Sequence, residues 1–267
     1  MSKVVLITGA SSGLGLSIAE FLSSNGHVVY GTSRKPQASS GKVRMLQSDV
    51  TDESGIISAV KTILSEQGRI DVLINNAGLG IAAPMETVSI SDVASVLDTN
   101  VIGIIRTIQA VLPQMRRQGS GLILNISSIG AEIGLPYRGV YSASKAAVDR
   151  ISEALRSELA PFGIQVSVIQ PGAVKTEINK NRIRTELPAD SVYKKNYDAA
   201  YGLINESINQ GLNAEAFGRL VNDILQQKRV KAIYRLGNRT EKLSVLLKRL
   251  LPAATFEKMI RKHYGLE

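Results

Sequence analysis

The chain has 267 residues, 44% of them hydrophobic, which is enough for one large α/β domain or two small ones. It has no cysteine, which excludes disulfides, thiolate zinc sites and cysteine nucleophiles. Most of its net charge of +9 lies from residue 228 onward, where eleven Lys and Arg accompany three Glu. The two histidines, His27 and His263, stand apart from any carboxylate cluster, so we expect no metal site.

The beginning of the chain, MSKVVLITGA, has one lysine and a short β-branched run, which is too brief for a secretory signal. No apolar stretch approaches the roughly 20 residues that a membrane-spanning helix needs. The run VIGII at residues 101–105, for example, stops at Arg106. We therefore expect a soluble, cytoplasmic protein without a transmembrane segment.

Short β-branched runs alternate with longer amphipathic segments. The seven expected strands are KVVLITG, HVVYGTS, KVRMLQ, IDVLINN, GLILNIS, IQVSVIQPG and VKAIYRL. The expected helices cover residues 13–25, 52–67, 89–118, 139–160 and 213–228. This alternation indicates a parallel sheet with helices on both faces. Because no linker or repeat divides the chain, we predict one doubly wound, Rossmann-type α/β domain over residues 1–267, with a mainly parallel seven-stranded sheet.

A glycine-rich turn, TGASSGLG at residues 8–15, follows the first strand and opens the first helix. Its glycines would permit a tight turn and bring the free N–H groups of the helix N-terminus against a pyrophosphate. The spacing is not the G-x-G-x-x-G fingerprint, but its position after the first strand favours a dinucleotide site. The expected cofactor contacts in this loop are Gly9, Ser11, Ser12, Gly13, Leu14 and Gly15.

The end of the second strand distinguishes between NAD and NADP. In NAD-binding proteins of this architecture, a carboxylate about 20 residues beyond the loop binds the ribose 2′-OH. Here no Asp or Glu occurs between Glu20 and Asp49, and Ser33 is followed by Arg34 and Lys35. A guanidinium binds a 2′-phosphate through charge-assisted hydrogen bonds, so the pattern favours NADP over the alternative of solvated loop charges.

Tyr141 and Lys145 lie one helical turn apart, with small residues between them. On a helix such a pair shares one face. A free phenol titrates near pH ~10, too high for a proton shuttle at neutral pH. A positive charge at ~4 Å, with an effective dielectric of ~20, contributes about 4 kcal/mol, or roughly three pKa units. The pair therefore predicts a general acid and base.

Five motifs occur together in one order: TGASSGLG, NNAG at 75–78, NISS at 125–128, YSASK at 141–145 and PG at 171–172. In this order and spacing they resemble the short-chain dehydrogenase/reductase family, in its single-domain branch. The resemblance covers residues 3–235. It implies hydride transfer between a nicotinamide and a carbonyl or alcohol carbon.

The resemblance also implies roles for four residues. Tyr141 corresponds to the proton donor and acceptor, and Lys145 to the residue that lowers its pKa and holds the ribose hydroxyls. Ser128 matches the serine that hydrogen-bonds the substrate oxygen, with Ser127 as the rival. Asn100 matches the asparagine that keeps a water in the relay behind the lysine.

Further cofactor contacts are expected at the strand ends and after them. Ser12 stands where some NADP enzymes of this family carry a base, so the NADP preference rests on the second strand, at Ser33 and Arg34. Asp49, which ends the third strand, is a candidate for the adenine edge. The remaining expected contacts are Asp49, Val50, Asn76, Ala77, Gly78, Pro171, Gly172, Val174 and Thr176.

The substrate is expected to be an apolar ketone or alcohol of steroid, retinoid or lipid type, reduced with NADPH. The walls of the substrate pocket would be formed by residues 78–84, residues 133–137 and an insertion at residues 177–211. A helix from about residue 190 carries Tyr193, Tyr197 and Tyr201, as a core stripe or as part of the pocket. No basic or acidic cluster is evident there.

The sequence of residues 238–267 predicts two short amphipathic helices separated by Pro252. One apolar stripe is formed by Leu243, Leu246, Leu247, Leu250 and Leu251. This extension resembles that of the hydroxysteroid- and retinol-dehydrogenase-like subgroup. Docking on the domain is favoured over a lid or peripheral lipid contact. A homodimer or homotetramer is expected, and no nucleic-acid partner. The alternative function is a catalytically weak NADP-binding protein with a regulatory, lipid-binding or nucleic-acid-binding role.

Overall fold

The computed structural model describes residues 2–35, 42–176 and 182–266. Seven of its strands are β1 (Val4–Thr8), β2 (Val28–Ser33), β3 (Arg44–Gln47), β4 (Val72–Asn75), β6 (Gly121–Ile126), β7 (Ile164–Pro171) and β11 (Ile233–Leu236). They form a parallel sheet in the order β11-β7-β6-β4-β1-β2-β3. The predicted doubly wound, seven-stranded sheet is confirmed.

Four two-residue strands extend the edges of the cofactor and substrate regions. In one small sheet β5 (Ile81–Ala82) pairs with β9 (Ile183–Arg184). In the other β8 (Val174–Lys175) pairs with β10 (Leu212–Asn213). The first pairing connects the described part of the 177–211 insertion to the segment after β4, and the second joins the segments on either side of the insertion. Residues 177–181 lie outside the described residues.

The helices lie on both faces of the sheet. They are α1 (Gly13–Ser24), α2 (Glu53–Gln67), α3 (Ile90–Leu97), α4 (Gly103–Gln118), α5 (Gly139–Leu159), α6 (Lys194–Asn209), α7 (Glu215–Leu225), α8 (Arg239–Leu250) and α9 (Ala253–His263). One core cluster joins α1 and α7 to the sheet through Ile18, Leu22, Phe217 and Val221. The opposite cluster joins α2, α4 and α5 to it through Ile63, Ile108, Met115 and Val148.

The helix predicted over residues 89–118 is interrupted. A π-helical turn, Asp98–Ile102, separates α3 from α4. By length and composition, the whole helical stretch Ile90–Gln118 could also cross a membrane, and it is the single candidate among the described residues. Yet its α4 part buries Ile108, Val111 and Met115 in the core, which is how a core helix of the same composition behaves.

The strand order reverses at β1, which lies between β4 and β2. In open parallel sheets a crevice forms beyond the carboxyl ends of the strands at such a point. Here the ends of these strands carry Thr8, Asn75 and Ser33. The fold therefore places the glycine-rich loop, the NNAG turn and the end of the second strand around one crevice.

The carboxyl-terminal helices α8 and α9 separate at Pro252, as predicted. The Asn238 side chain caps α8, and Glu241 accepts a hydrogen bond from the Asn238 backbone in return. The members of the predicted apolar stripe differ in their surroundings. Leu247 lines the central cavity, whereas Leu246 and Leu250 are 51% and 70% exposed. One edge of the stripe, with Leu243 and Leu247, thus lines the cavity, while its other edge is exposed.

Candidate active site

A cavity of about 1000 Å³ opens at the switch point of the sheet. Nearly all the sequence-predicted site residues line it. They are Gly9, Ser11, Ser12, Gly13, Leu14, Ser33, Arg34, Asp49, Val50, Asn76, Ala77, Gly78, Ser128, Tyr141, Lys145, Pro171, Gly172, Val174 and Thr176. The two others, Gly15 and Asn100, lie behind this lining, where each supports a residue that does reach the cavity.

The glycine-rich loop is packed too closely for side chains at two positions. Gly9 has φ +66°, and a Cβ there would lie 2.9 Å from the Ala77 Cα. A Cβ on Gly15 would lie 2.3 Å from both the Gly9 carbonyl oxygen and the Asn76 Nδ2. The loop can therefore turn directly into α1 and leave open space above it.

The N-terminus of α1 is suited to an anion. The Ser12 side chain caps none of the first-turn N–H groups, and that turn contains no acidic residue. Gly13 and Leu14 line the cavity at this point. Free N–H groups and the positive end of the helix dipole favour a phosphate. This cradle fits the pyrophosphate of a dinucleotide.

Thr8 and Asn76 hold the loop against the NNAG turn. The Asn76 side-chain amide donates hydrogen bonds to the carbonyl oxygens of Thr8 and Gly9, at 3.0 and 2.9 Å. The Thr8 hydroxyl accepts from the backbone N–H groups of Asn76 and Ala77, at 3.0 and 3.1 Å. Thr8 was given no role in the sequence analysis, and its place as the last residue of β1 is the signal that points to it.

The end of β2 presents its basic residue to the cavity. Ser33 is buried, whereas the neighbouring Arg34 is exposed at the cavity rim. The Arg34 carbonyl accepts from Gln47 Nε2 at 3.3 Å, which fixes the backbone beside β3. Asp49 lies across the same rim, and its carboxylate accepts from the Thr51 N–H at 3.0 Å. Lys35 does not line the cavity.

Tyr141 and Lys145 are both buried on the inner face of α5, at 8% and 5% exposure. The Lys145 Nζ donates to the Ile126 carbonyl at 2.9 Å and lies 6.0 Å from the centroid of the Tyr141 ring. Burial raises the pKa of the Tyr141 phenol, but Lys145, then Arg138, the Ser128 hydroxyl and Arg182 lower it. The net direction is below the ordinary value of a phenol, because cations surround it.

Burial also lowers the pKa of the Lys145 ammonium, while Tyr141 and Asp149 raise it in part. The two shifts belong to one pair, since a deprotonated phenol and a protonated amine stabilise each other. The side chains share one wall of the cavity, as the i, i+4 spacing predicts.

Asn100 occupies the middle of the π-helical turn and is fully buried. Its Nδ2 donates to the Leu79 carbonyl and the Ser144 hydroxyl, at 2.9 and 3.0 Å, and its Oδ1 accepts from the Leu79 N–H at 2.7 Å. A Cβ on Gly78 would lie 3.2 Å from the Asn100 Oδ1 and 3.4 Å from the Lys145 Nζ. Asn100 and Lys145 therefore both approach Gly78, and the water between them stays a prediction.

The two candidate serines are distinguished by their hydrogen bonds. The Ser127 hydroxyl is buried and donates to the Lys145 backbone carbonyl at 3.1 Å. The Ser128 hydroxyl accepts from the Gly130 N–H at 3.0 Å, which leaves its own proton available. Ser128 is therefore the better hydrogen-bond donor to a ligand beside Tyr141.

The substrate end of the cavity differs from its prediction in two respects. The tyrosines of α6 are not part of the lining: Tyr197 is in the core, and its hydroxyl donates to the Ala82 carbonyl at 2.6 Å. A basic pair, Arg138 and Arg182, does line the cavity, so the expectation of no basic cluster is wrong. The two lie 44 residues apart, so only the fold brings them together.

The carboxyl-terminal helices complete this end. Apolar side chains of both helices line the cavity, namely Leu243, Leu247, Phe256, Met259 and Ile260. The Glu241 carboxylate accepts from the Ala173 N–H at 2.6 Å and so ties α8 to the segment after β7. The extension is docked on the domain and also forms a wall of the site.

A family model described as short chain dehydrogenase matches residues 3–187. The chain belongs to the short-chain dehydrogenase/reductase family. Members of this family are oxidoreductases that bind a nicotinamide cofactor, which agrees with the cavity geometry.

Two relatives in this family are similar in sequence. The chain is 41% identical over 265 residues to a 3-ketodihydrosphingosine reductase of Bacteroides thetaiotaomicron, covering 99% of this chain and 98% of that protein. It is 42% identical over 189 residues to human 17-beta-hydroxysteroid dehydrogenase type 1, covering 65% of this chain and 57% of the human enzyme.

Among solved structures, a short-chain dehydrogenase from Streptomyces avermitilis has a TM-score of 0.81 and 31% identity. The match covers 98% of each chain, so it includes the carboxyl-terminal extension of this family member.

Proposed function

We propose that this protein is an NADPH-dependent reductase of a ketone on a long, apolar substrate, with Tyr141 as the general acid. The observation that carries the proposal is the buried Tyr141–Lys145 pair in the wall of the dinucleotide cavity. A phenol of lowered pKa is of use only where a proton must be exchanged near neutral pH.

The cofactor, when bound, supplies a hydride for the carbonyl carbon of the substrate. Tyr141 donates its proton to the carbonyl oxygen, and the Ser128 hydroxyl donates a hydrogen bond to the same oxygen as negative charge develops. Lys145 stabilises the phenolate that remains. Asn100 would hold a water in the relay behind Lys145, since its Oδ1 and the Lys145 Nζ both lie within 3.4 Å of the place that a Cβ on Gly78 would occupy.

NADP rather than NAD is supported by the charges at the end of β2. Arg34 lines the cavity rim, and no carboxylate stands at that strand end. An arginine in this position would bind a 2′-phosphate through charge-assisted hydrogen bonds and would gain little from a 2′-hydroxyl. Since Ser12 supplies no charge to the glycine-rich loop, the preference depends on Arg34.

An apolar substrate is supported by the leucines and aromatic residues of α8 and α9 in the cavity wall. The names of the two relatives refer to a keto sphingoid compound and to steroids, both of which combine a carbonyl or alcohol with a large apolar body. A long-chain lipid ketone is the better candidate, because the relative named for it matches 99% of this chain.

The test is NADPH consumption with a panel of ketones that includes long-chain aliphatic ketones and keto steroids. Tyr141→Phe is the matched variant, since it removes only the hydroxyl. We expect its turnover to fall by about three orders of magnitude or more while NADPH binding, followed by cofactor fluorescence, is retained. If Tyr141→Phe keeps most of its activity, Tyr141 is not the general acid.

A further inference from the structure

Asp149 is a buried carboxylate that the proposed reaction does not use. It lies on α5, four residues after Lys145, and is 7% exposed. Residues four apart on a helix share one face, so the carboxylate and the ammonium belong to the same inner face of α5. The Asp149 Oδ1 atom is buried and has no hydrogen-bond partner among the described residues. A buried charge of this kind is costly unless an opposite charge lies near it.

Lys145 lacks a direct carboxylate partner. Its Nζ donates to the Ile126 carbonyl at 2.9 Å, and it forms no ion pair in the part of the chain that the structure describes. Arg138 and Arg182 act on Tyr141 from the other side and add positive charge to this wall. Tyr141 itself is neutral when it is ready to donate its proton. The buried ammonium therefore needs a negative charge from another residue.

The effect of Asp149 on Lys145 has a definite sign. Burial lowers the pKa of the Lys145 ammonium, and two neighbours raise it, Tyr141 and Asp149. Of these two, Asp149 is the one that can carry a negative charge before the reaction begins. Its charge favours the ammonium form of Lys145, which in turn stabilises the phenolate of Tyr141.

A hydrogen-bond network on the far side of Asp149 brings it an amide rather than a cation. The Gln170 Nε2 bridges two carboxylates, donating to Asp149 at 2.7 Å and to Glu132 at 3.3 Å. Glu132 is paired with Arg235 and Arg249, so the cations of this network lie around Glu132. The charge of Asp149 is thus left available to the ammonium on the same helix.

The ionisation of Asp149 depends on the groups that face it. Burial raises the pKa of its carboxyl. The other groups that act on this pKa belong to the segment after β6, to β7 and to α5: Glu132 raises it, whereas Ser127, Gln170 and Arg150 lower it. Hydrogen bonds to a carboxylate favour its ionised form, so the amide of Gln170 opposes the effect of burial.

We propose that Asp149 is a positioning residue: it provides the buried counter-charge that keeps Lys145 in its ammonium form, and so acts on Tyr141 through Lys145. It does not line the cavity and therefore touches neither the cofactor site nor the reacting atoms. The role rests on the proposed reductase function, because it serves the proton transfer by Tyr141. It also explains why α5 buries a carboxylate where an apolar side chain would cost less free energy.

The direct test measures the ionisation of Lys145 without substrate. Full-length protein with isotope-labelled lysine Cε atoms is titrated by NMR, and the Lys145 signal is assigned by its absence in Lys145→Met. Both members of the comparison carry Tyr141→Phe, which removes the coupled titration of the phenol. We expect Asp149→Asn to lower the titration midpoint of Lys145 by about one pH unit, the effect of a unit charge at about 10 Å with an effective dielectric of about 20.

The second test is the pH profile of ketone reduction with NADPH, in protein that retains Tyr141. The reacting form needs both the phenol and the ammonium protonated, and the loss of a nearby negative charge makes either proton easier to lose. Asp149→Asn should therefore move the alkaline limb of kcat to lower pH by about one unit, with little change in kcat below that limb. A merely structural defect would lower kcat at every pH instead. Asp149→Glu keeps the charge and should restore the limb.

The matched control is Glu153→Gln, which removes a carboxylate from an exposed position of the same helix and should leave both the midpoint and the limb unchanged. If Asp149→Asn does not fold, Asp149→Thr removes the same charge, and its hydroxyl can still accept from Gln170. A Lys145 midpoint that is the same with and without the Asp149 charge would overturn the role, as would an equal shift in Glu153→Gln. If the midpoint shifts but no ketone is reduced, the counter-charge stands and the proposed function fails.

Discussion

The two ends of the cavity are built in different ways. At the cofactor end, short motifs at the ends of neighbouring strands hold one another through partly buried hydrogen bonds, such as those that join Thr8 and Asn76. At the substrate end, the lining comes from α5, the insertion and the carboxyl-terminal helices, and several of its apolar neighbours are exposed, including Leu243 at 51%. The cofactor end thus consists of short motifs joined by hydrogen bonds, while the choice of substrate depends on parts that are far apart in the chain.

The largest expected effect that tests this comparison is that of a substitution at Lys145, beside the cofactor end of the cavity. Lys145→Met should lower kcat for ketone reduction at neutral pH by about 10³-fold, because roughly 4 kcal/mol of electrostatic stabilisation of the Tyr141 phenolate is lost. Steady-state kinetics would measure it. Lys61→Met, at an exposed position of α2, is the control. It should change kcat less than twofold, which corresponds to less than about 0.4 kcal/mol in the activation free energy. Similar effects of both variants would contradict a special role for Lys145.

The pH dependence should follow the pKa of Tyr141. Reduction needs the protonated phenol, and the surrounding cations lower that pKa. As pH rises through the lowered pKa, reduction should therefore decline by about tenfold per pH unit, whereas oxidation of the product alcohol should rise to a plateau. Rate profiles in both directions test this sign. An alkaline limb that stays where a free phenol titrates would show that the cations do not act on Tyr141.

A smaller effect is expected at the cofactor rim. Arg34→Ala should reduce the preference for NADPH over NADH, measured as the ratio of kcat/KM values, by about 10- to 100-fold, the range for one charge-assisted interaction. Lys35→Ala is the matched control, since Lys35 does not line the cavity. A larger change in Lys35→Ala than in Arg34→Ala would move the 2′-phosphate contact to the lysine.

The smallest effect is expected at the substrate end. Leu247→Ala should raise KM for a long-chain ketone by about fivefold, because roughly 1 kcal/mol of apolar contact is lost. Leu250→Ala provides the comparison, as this leucine is on the same helix but 70% exposed. KM values that are the same for both variants would indicate that α8 does not contact the substrate.

The sheet and the cofactor end could be predicted because their signals are local. A buried strand is a run of β-branched residues, and the glycines, Tyr141 and Lys145 lie in motifs of fewer than ten residues. Their burial and mutual packing followed once the strand order was known. The placement of Ser128 beside Tyr141 depended on the family resemblance, since spacing alone did not distinguish it from Ser127.

The substrate end could not be predicted in the same way. Arg138 and Arg182 become neighbours only when the insertion folds over Gly80. The spacing of residues in the sequence does not predict that they lie close together. The leucine pattern of α8 predicted an apolar stripe but not which of its members line the cavity, because that depends on how the contact between Glu241 and Ala173 holds the helix. Tyr197 packs in the core, where its hydroxyl donates a hydrogen bond to the Ala82 carbonyl.

The π-helical turn at Asp98–Ile102 fixes the number of residues between α3 and α4. Such a turn holds one residue more than an α-helical turn, and each residue of an α-helix advances by about 100°. That extra residue lets α3 and α4 keep separate angular phases, with Asn100 bonded to Leu79 and Ser144 and Met115 still packed in the core against the sheet. Removing a single residue here would straighten the helix into a regular one, yet rotate one of these two faces out of alignment.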